Sequence, residues 1–253
     1  IFFGVINKQF DKYMIGILSN LASLGLYDIA QKISSASFYF ISSLEKVYSP
    51  KIFKLYFNSK NEFTQTSGVL LTPFFYITFL FCLLVGLFSE ELLFILTTSE
   101  FHSAYPIIIP LVMINGIYFF GSTGQLLLAK KSKLISRISF AALFLNIMFN
   151  FPMIKYYGAV GASWATFFSG LIISLISFYF SQKHAKINYP IHFIWTVLLF
   201  LISLMLNSIL LKFDFSYSFR LIFKLLNVLA YLLLCYKMNV FVLISKLLKV
   251  NKS

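Results

Sequence analysis

The sequence predicts an all-α polytopic membrane protein with about eight transmembrane helices, each needing roughly 20 predominantly apolar residues. Three observations carry that prediction. Hydrophobic residues make up 59% of the 253 and charged residues only 11%, with a mean hydropathy of +0.85; a soluble domain carries about 25% charged residues. Apolar runs long enough to span a bilayer recur from one end of the chain to the other. The Lys and Arg residues fall mostly between those runs, while 32 Phe and 15 Tyr suit lipid-facing surfaces and the interfacial belt.

The first two runs, 1–19 and 24–49, are interrupted by charge: Lys8, Asp11 and Lys12 in one, Asp28 and Lys32, with Gln31, in the other. Run 68–88 contains Pro73. Run 105–129 holds Pro106 and Pro110, and run 134–154 holds Pro152. Each proline removes a backbone hydrogen bond and can kink its helix, which suits a rocking transporter and is also tolerated in other membrane proteins. Run 156–181 begins with Gly158, Gly161, Ala162 and Ala165, the small-residue spacing of close helix packing. Runs 191–211 and 219–236 complete the eight. Beyond them Phe241, Ile244, Leu247 and Leu248 recur at helical spacing beside Lys246 and Lys249, as in an interfacial helix or a frayed end. Ile1 is not Met and the first residues are already apolar, so the expectation is the C-terminal part of a longer protein.

Charge orients the runs. Connections 46–67, 130–137 and 183–190 and the tail hold fourteen basic residues: Lys46, Lys51, Lys54, Lys60, Lys130, Lys131, Lys133, Arg137, Lys183, Lys186, Lys237, Lys246, Lys249 and Lys252. The alternate connections hold three, Lys155, Lys212 and Arg220. The positive-inside rule places the first set, and the C-terminus, in the cytoplasm. The acidic connection 89–104, with Glu90, Glu91 and Glu100, then faces outward. The net charge of +13 is therefore a topology signal, and no soluble basic face exists to bind nucleic acid.

Charge at membrane depth costs several kcal/mol unless paired or wet, and usually marks a path or a binding site. With Lys8 at 0° on a helical projection, Lys12 falls near about 40° and Asp11 near about −60°. In the second run Gln31, Lys32, Ser35, Tyr39, Ser42 and Lys46 all lie within about 60° of Asp28, a stripe that must face protein or water. Asp28 and Lys32 are spaced to pair along the helix. Lys8, Lys12 and Lys32 against Asp11 and Asp28 leave one positive charge over, which suits an anionic ligand. An interhelical salt-bridge network that only locks two helices is the other reading. Weaker stripes carry Asn115, Tyr118, Ser122 and Gln125, then Ser139, Asn146 and Asn150. Amides and hydroxyls hydrogen-bond sugars, and they also join membrane helices to one another.

No catalytic constellation appears. His102, His184 and His192 lie in or near different connections, and none forms a metal-ligand pair at helical spacing. Glu90 and Glu91 read as a solvated helix end. Cys82 and Cys235 are isolated within apolar runs. No Gly-rich phosphate cradle is present, so ATP-driven transport is not encoded here and no cofactor is expected.

Four stretches carry a family resemblance. Asp11-Lys12-Tyr13-Met14-Ile15-Gly16, with Leu24-Gly25-Leu26-Tyr27-Asp28-Ile29-Ala30-Gln31-Lys32-Ile33, resembles the seventh and eighth spans of Wzx-type polysaccharide repeat-unit flippases. Tyr48-Ser49-Pro50-Lys51-Ile52-Phe53-Lys54-Leu55-Tyr56 is similar to their cytoplasmic exit motif. Pro152-Met153-Ile154-Lys155-Tyr156-Tyr157-Gly158-Ala159-Val160-Gly161-Ala162-Ser163-Trp164-Ala165-Thr166 resembles their P-x(n)-Y-G-x-x-G-A-x-x-A-T stretch. The likeness covers most of 11–190; the last two spans carry none of it.

The resemblance implies the C-terminal helical lobe of a two-lobe transporter of the MATE-like multidrug/oligosaccharidyl-lipid/polysaccharide (MOP) exporter superfamily, with six further spans upstream. In that frame 1–181 is the transporter lobe, 182–238 adds two spans, and 239–253 is a cytoplasmic amphipathic basic tail. The implied cargo is an undecaprenyl-diphosphate-linked oligosaccharide, carried to the outer leaflet of the bacterial cytoplasmic (inner) membrane for O-antigen (lipopolysaccharide) or capsule synthesis. A polymerase and a chain-length regulator of the same pathway are implied partners, alongside membrane lipids. Lys8, Lys12 and Lys32 would attract the diphosphate and sugar, with Gln31, Asn115, Gln125, Asn146 and Asn150 as further cavity groups. Asp11 and Asp28 would be charge partners or would couple transport to a proton or sodium gradient. Alternatives are another exporter of the superfamily, for cell-wall precursors or drugs, and a membrane glycosyltransferase or polymerase. An enzyme would need catalytic groups on a substantial external loop, and 89–104 offers no convergent acid/base pair.

Overall fold

The computed structural model describes residues 2–118, 124–190, 192–213, 215–238 and 240, with side chains from residue 10 onward. Among the described residues every regular element is helical: α1 (Phe2–Leu18), α2 (Leu21–Asn58), α3 (Lys60–Leu87), α4 (Ser89–Leu96), a 3-10 turn (Ser99–Ala104), α5 (Tyr105–Ile117), α6 (Gly124–Leu128), α7 (Ser132–His184), α8 (His192–Leu210) and α9 (Tyr217–Lys237). Four of them, α3, α7, α8 and α9, are long and apolar enough to cross a membrane, which marks a membrane protein. The basic tail beyond 240 and the Lys8 side chain lie outside the described residues.

Local chemistry sets the breaks. Asn20 stands between α1 and α2 and accepts the Ser23 N–H on its Oδ1 at 2.7 Å, capping the orphan donors of a helix start. Ser59 does the same for α3, accepting the Glu62 N–H at 3.4 Å, and Ser216 for α9, accepting from Phe219 at 3.4 Å. Pro106 sits in the first turn of α5, where no N–H is needed. Within run 105–129 the described helices are α5, ending at Ile117, and α6, beginning at Gly124.

Runs 134–154 and 156–181 join in α7, whose 53 residues would measure about 80 Å if straight. It is not straight. Gly158 has φ 56° and ψ −135°, a conformation open to glycine. Ile138 before this turn and Ile173 after it meet in one apolar cluster with Leu126, so the helix folds back into two arms. Gly161 permits the reversal: a Cβ there would overlap the Met153 carbonyl oxygen.

The chain forms two compact units. The first, Ile1–Tyr39 with Phe88–Lys186, packs α1, α5 and α6 on the arms of α7. The second, Phe40–Leu87 with Ile187–Ser253, packs α3, α8 and α9 on one another. Its core is aromatic: Phe75 stacks on Phe193 at 4.1 Å, and Phe79 meets Phe200 edge-on at 4.7 Å. Tyr231 donates to the Tyr76 carbonyl at 2.8 Å, and Lys224 of α9 is fully buried. Backbone of the 187–190 connection also docks on α3, with Asn188 N–H donating to the Thr64 carbonyl at 3.1 Å.

Candidate functional site

The site lies wholly within the first unit. Asp11 and Lys12 are neighbours on α1, so their side chains point about 100° apart. The two turn to different partners. Asp11 is 3% exposed and accepts hydrogen bonds from Asn150 Nδ2 at 2.6 Å, Tyr27 Oη at 2.9 Å and Thr166 Oγ1 at 3.0 Å. Asn150 Nδ2 also donates to Asn146 Oδ1 at 2.9 Å. All three groups donate to the carboxyl oxygens, the pattern an acceptor-only carboxylate requires. Among the described residues no cation pairs with Asp11; its partners are neutral.

Lys12 instead pairs with Asp28 on α2. Lys32, one turn along α2, reaches the other Asp28 oxygen at 2.8 Å. One carboxylate thus holds two ammonium groups, and the i, i+4 pairing expected from the sequence is present. Lys12 is 26% exposed and Lys32 69%, so the Lys32 side chain is mostly exposed and that of Lys12 mostly covered. Tyr27 to Asp11 and Asp28 to Lys12 form two consecutive cross-links between α1 and α2, aligned by the turn that Asn20 caps.

A cavity of about 600 Å³ opens beside this layer. Its wall draws on α1, α2, α5 and both arms of α7, with Asp11, Gln31, Asn115, Asn146, Thr166 and the Phe38 ring among its groups. Of the residues singled out from the sequence, Asp11, Gln31, Ser35, Asn115, Tyr118 and Asn146 line it. Asn150 stands behind Asp11 and is fully buried. Lys12, Lys32 and Asp28 stand outside the wall, paired together. Gln125 is apart, on α6, where its amide donates to the Ala185 carbonyl at 2.6 Å. Asn115 Nδ2 donates to the Ser34 carbonyl at 3.0 Å, tying α5 to α2.

The sequence pattern did not single out Tyr27, Thr166, Ser34 or Phe38 as site groups. Tyr27 lies one residue off the charged stripe, and Thr166 is a single hydroxyl in a run of small packing residues. Only their contact with Asp11 marks Tyr27 and Thr166.

Around the Asp11 carboxylate stand two amides, Asn150 and Asn146, and two hydroxyls, Tyr27 and Thr166, and Asn150, Tyr27 and Thr166 turn N–H and O–H donors toward it. Asn150 Oδ1 is buried without a hydrogen-bond partner in this structure, and such an atom calls for an explanation. A cation drawn to Asp11 would supply one only with the Asn150 amide turned, since Asn150 faces Asp11 with Nδ2.

Compared with protein-family models, with curated proteins and with solved structures, the chain matches none.

Proposed function

We propose that this chain is the substrate-holding lobe of an exporter that flips polyprenyl-diphosphate-linked oligosaccharide repeat units across the bacterial cytoplasmic membrane. The observation that carries the reading is a cavity of about 600 Å³ whose mainly apolar wall is set with a carboxylate, amides and hydroxyls, next to a second carboxylate that holds two lysines. That volume is in the range of small-molecule sites, about 300–1,000 Å³. The diphosphate meets the ammonium groups of Lys12 and Lys32, with Asp28 fixing their position and yielding part of its hold as the anion arrives. The sugar enters the cavity while the prenyl chain stays in lipid. Alternating access then moves the head group across, with no bond made or broken.

In this reading the chain spans the membrane about eight times and its C-terminus is cytoplasmic; the fourteen-to-three asymmetry of basic residues supports that orientation. Asp11, with Asn150 and Thr166, is the coupling site for a proton or sodium ion. The polymerase and chain-length regulator of the same pathway are its expected partners.

The test is complementation. In a strain lacking its own flippase, Lys12→Ala and Lys32→Ala should each abolish surface polysaccharide at normal protein level. Full polysaccharide from both variants would sink the reading.

One observation favours a second reading, a multidrug exporter of the same superfamily. Asp11 in a partly aromatic wall suits a lipophilic cation. Raised resistance to cationic drugs in an expressing strain, lost in Asp11→Asn, would decide for it.

A further inference from the structure

We infer that the cavity selects a neutral glycan, one whose sugar residues carry hydroxyl and acetamido groups, and rejects uronic acids. This deepens the flippase reading and rests on it. The inference starts from how the first unit divides its charge. The cations that would meet the diphosphate, Lys12 and Lys32, are gathered on Asp28 outside the cavity wall. Inside the wall, among the described residues, stand one carboxylate, amides, hydroxyls and aromatic rings among aliphatic groups such as Leu111, Ile114 and Ile173, with no Lys, Arg or His.

The amide and aromatic wall groups each match part of a neutral sugar. The Gln31 and Asn115 amides both donate and accept, as sugar hydroxyls and acetamido groups do. Phe38 and Tyr118, 38% and 43% exposed, offer ring surface to the C–H face of a pyranose.

A uronic acid finds no such match. Its carboxylate would leave water for a site where no described wall group is cationic, and an unpaired buried charge is expensive. Asp11 adds repulsion. A coupling cation bound at Asp11 would be neutralised by Asp11 itself, so it supplies no partner for the sugar acid either. Acidity is welcome at the diphosphate end of the cargo and excluded at the sugar end.

The test uses the complete protein in flippase-deficient hosts that assemble matched repeat units, one built of N-acetylhexosamine and hexose, the other with a uronic acid in place of the hexose. Surface polymer should be restored at least tenfold more with the neutral unit, and Gln31→Lys should raise export of the acidic unit at least threefold. Equal or better export of the acidic unit by the unaltered protein overturns the inference. In parallel, the purified protein is titrated with the free neutral and free uronate oligosaccharides; tighter binding of the neutral one supports the inference, and equal or weaker binding overturns it. Export of neither unit from a normally expressed protein overturns the flippase reading, and the titration then decides the preference of the cavity by itself.

Discussion

Asn150 donates a hydrogen bond to Asp11 over 2.6 Å, joining positions 139 residues apart. Both side chains are buried, so the donor cannot be replaced by bulk water. Asn150→Leu keeps the branched shape, with some added bulk, and removes the donor. The expected loss is about 1.5–3 kcal/mol, the range for a hydrogen bond to a charged group, read as a lower unfolding midpoint in detergent. An unchanged midpoint would mean that Asp11 is held by Tyr27 and Thr166 alone.

The two lysines on Asp28 should not be equivalent. Lys12 is 26% exposed and Lys32 69%, and exposed pairs are weak, at about 0.2–1 kcal/mol. Double-mutant cycles to Ala should give a larger coupling for Lys12 with Asp28 than for Lys32 with Asp28. The Lys32 coupling should also fade faster as salt is raised.

Gly158 occupies φ 56° and ψ −135°, and a Cβ there would meet Ser19 Oγ at 3.3 Å and Ser23 Oγ at 3.4 Å. Gly158→Ala should cost about 1–3 kcal/mol in backbone strain. Gly158→Asn should be no milder, because asparagine tolerates the left-handed helical region and not this ψ. A harmless Asn variant would show that the turn relaxes.

In the second unit, Gly68 of α3 lets the 187–190 connection lie against the helix. A Cβ at 68 would overlap the Asn188 carbonyl oxygen. Gly68→Ala should push that backbone away and break the Asn188 to Thr64 hydrogen bond. Faster amide exchange at Asn188, with α8 and α9 still protected, is the expected signature.

Much of this architecture is legible in the sequence because lipid demands long apolar runs and leaves charge conspicuous. The Asp28–Lys32 pair follows from one turn of spacing. Asp11 and Lys12 are harder: they project to one broad face, yet the angle between neighbours sends Asp11 to Tyr27 and the arms of α7 and Lys12 to Asp28. Gln125 and Asn115 project to one broad face, yet Asn115 donates to the Ser34 carbonyl and Gln125 to the Ala185 carbonyl, partners that only tertiary contact supplies. Gly158 reads as a packing glycine because Gly161 and two alanines come after it at packing intervals. Its positive φ is set by a chain reversal that periodicity does not encode. Tyr27 and Thr166 are polar residues of types common in any membrane helix, and only tertiary contact gives them a role.

The two arms of α7 hold Asp11 from either side of their turn, through Asn150 on one and Thr166 on the other. Chain length between those positions is therefore constrained independently of composition. One residue inserted between Gly161 and Thr166 would leave the hydrophobic content of the arm intact and rotate the remainder of that arm by about 100°. Thr166 would swing off the carboxylate. The segment works as a ruler that fixes the angular phase of one arm against the other, so its count matters as well as its small, buried side chains.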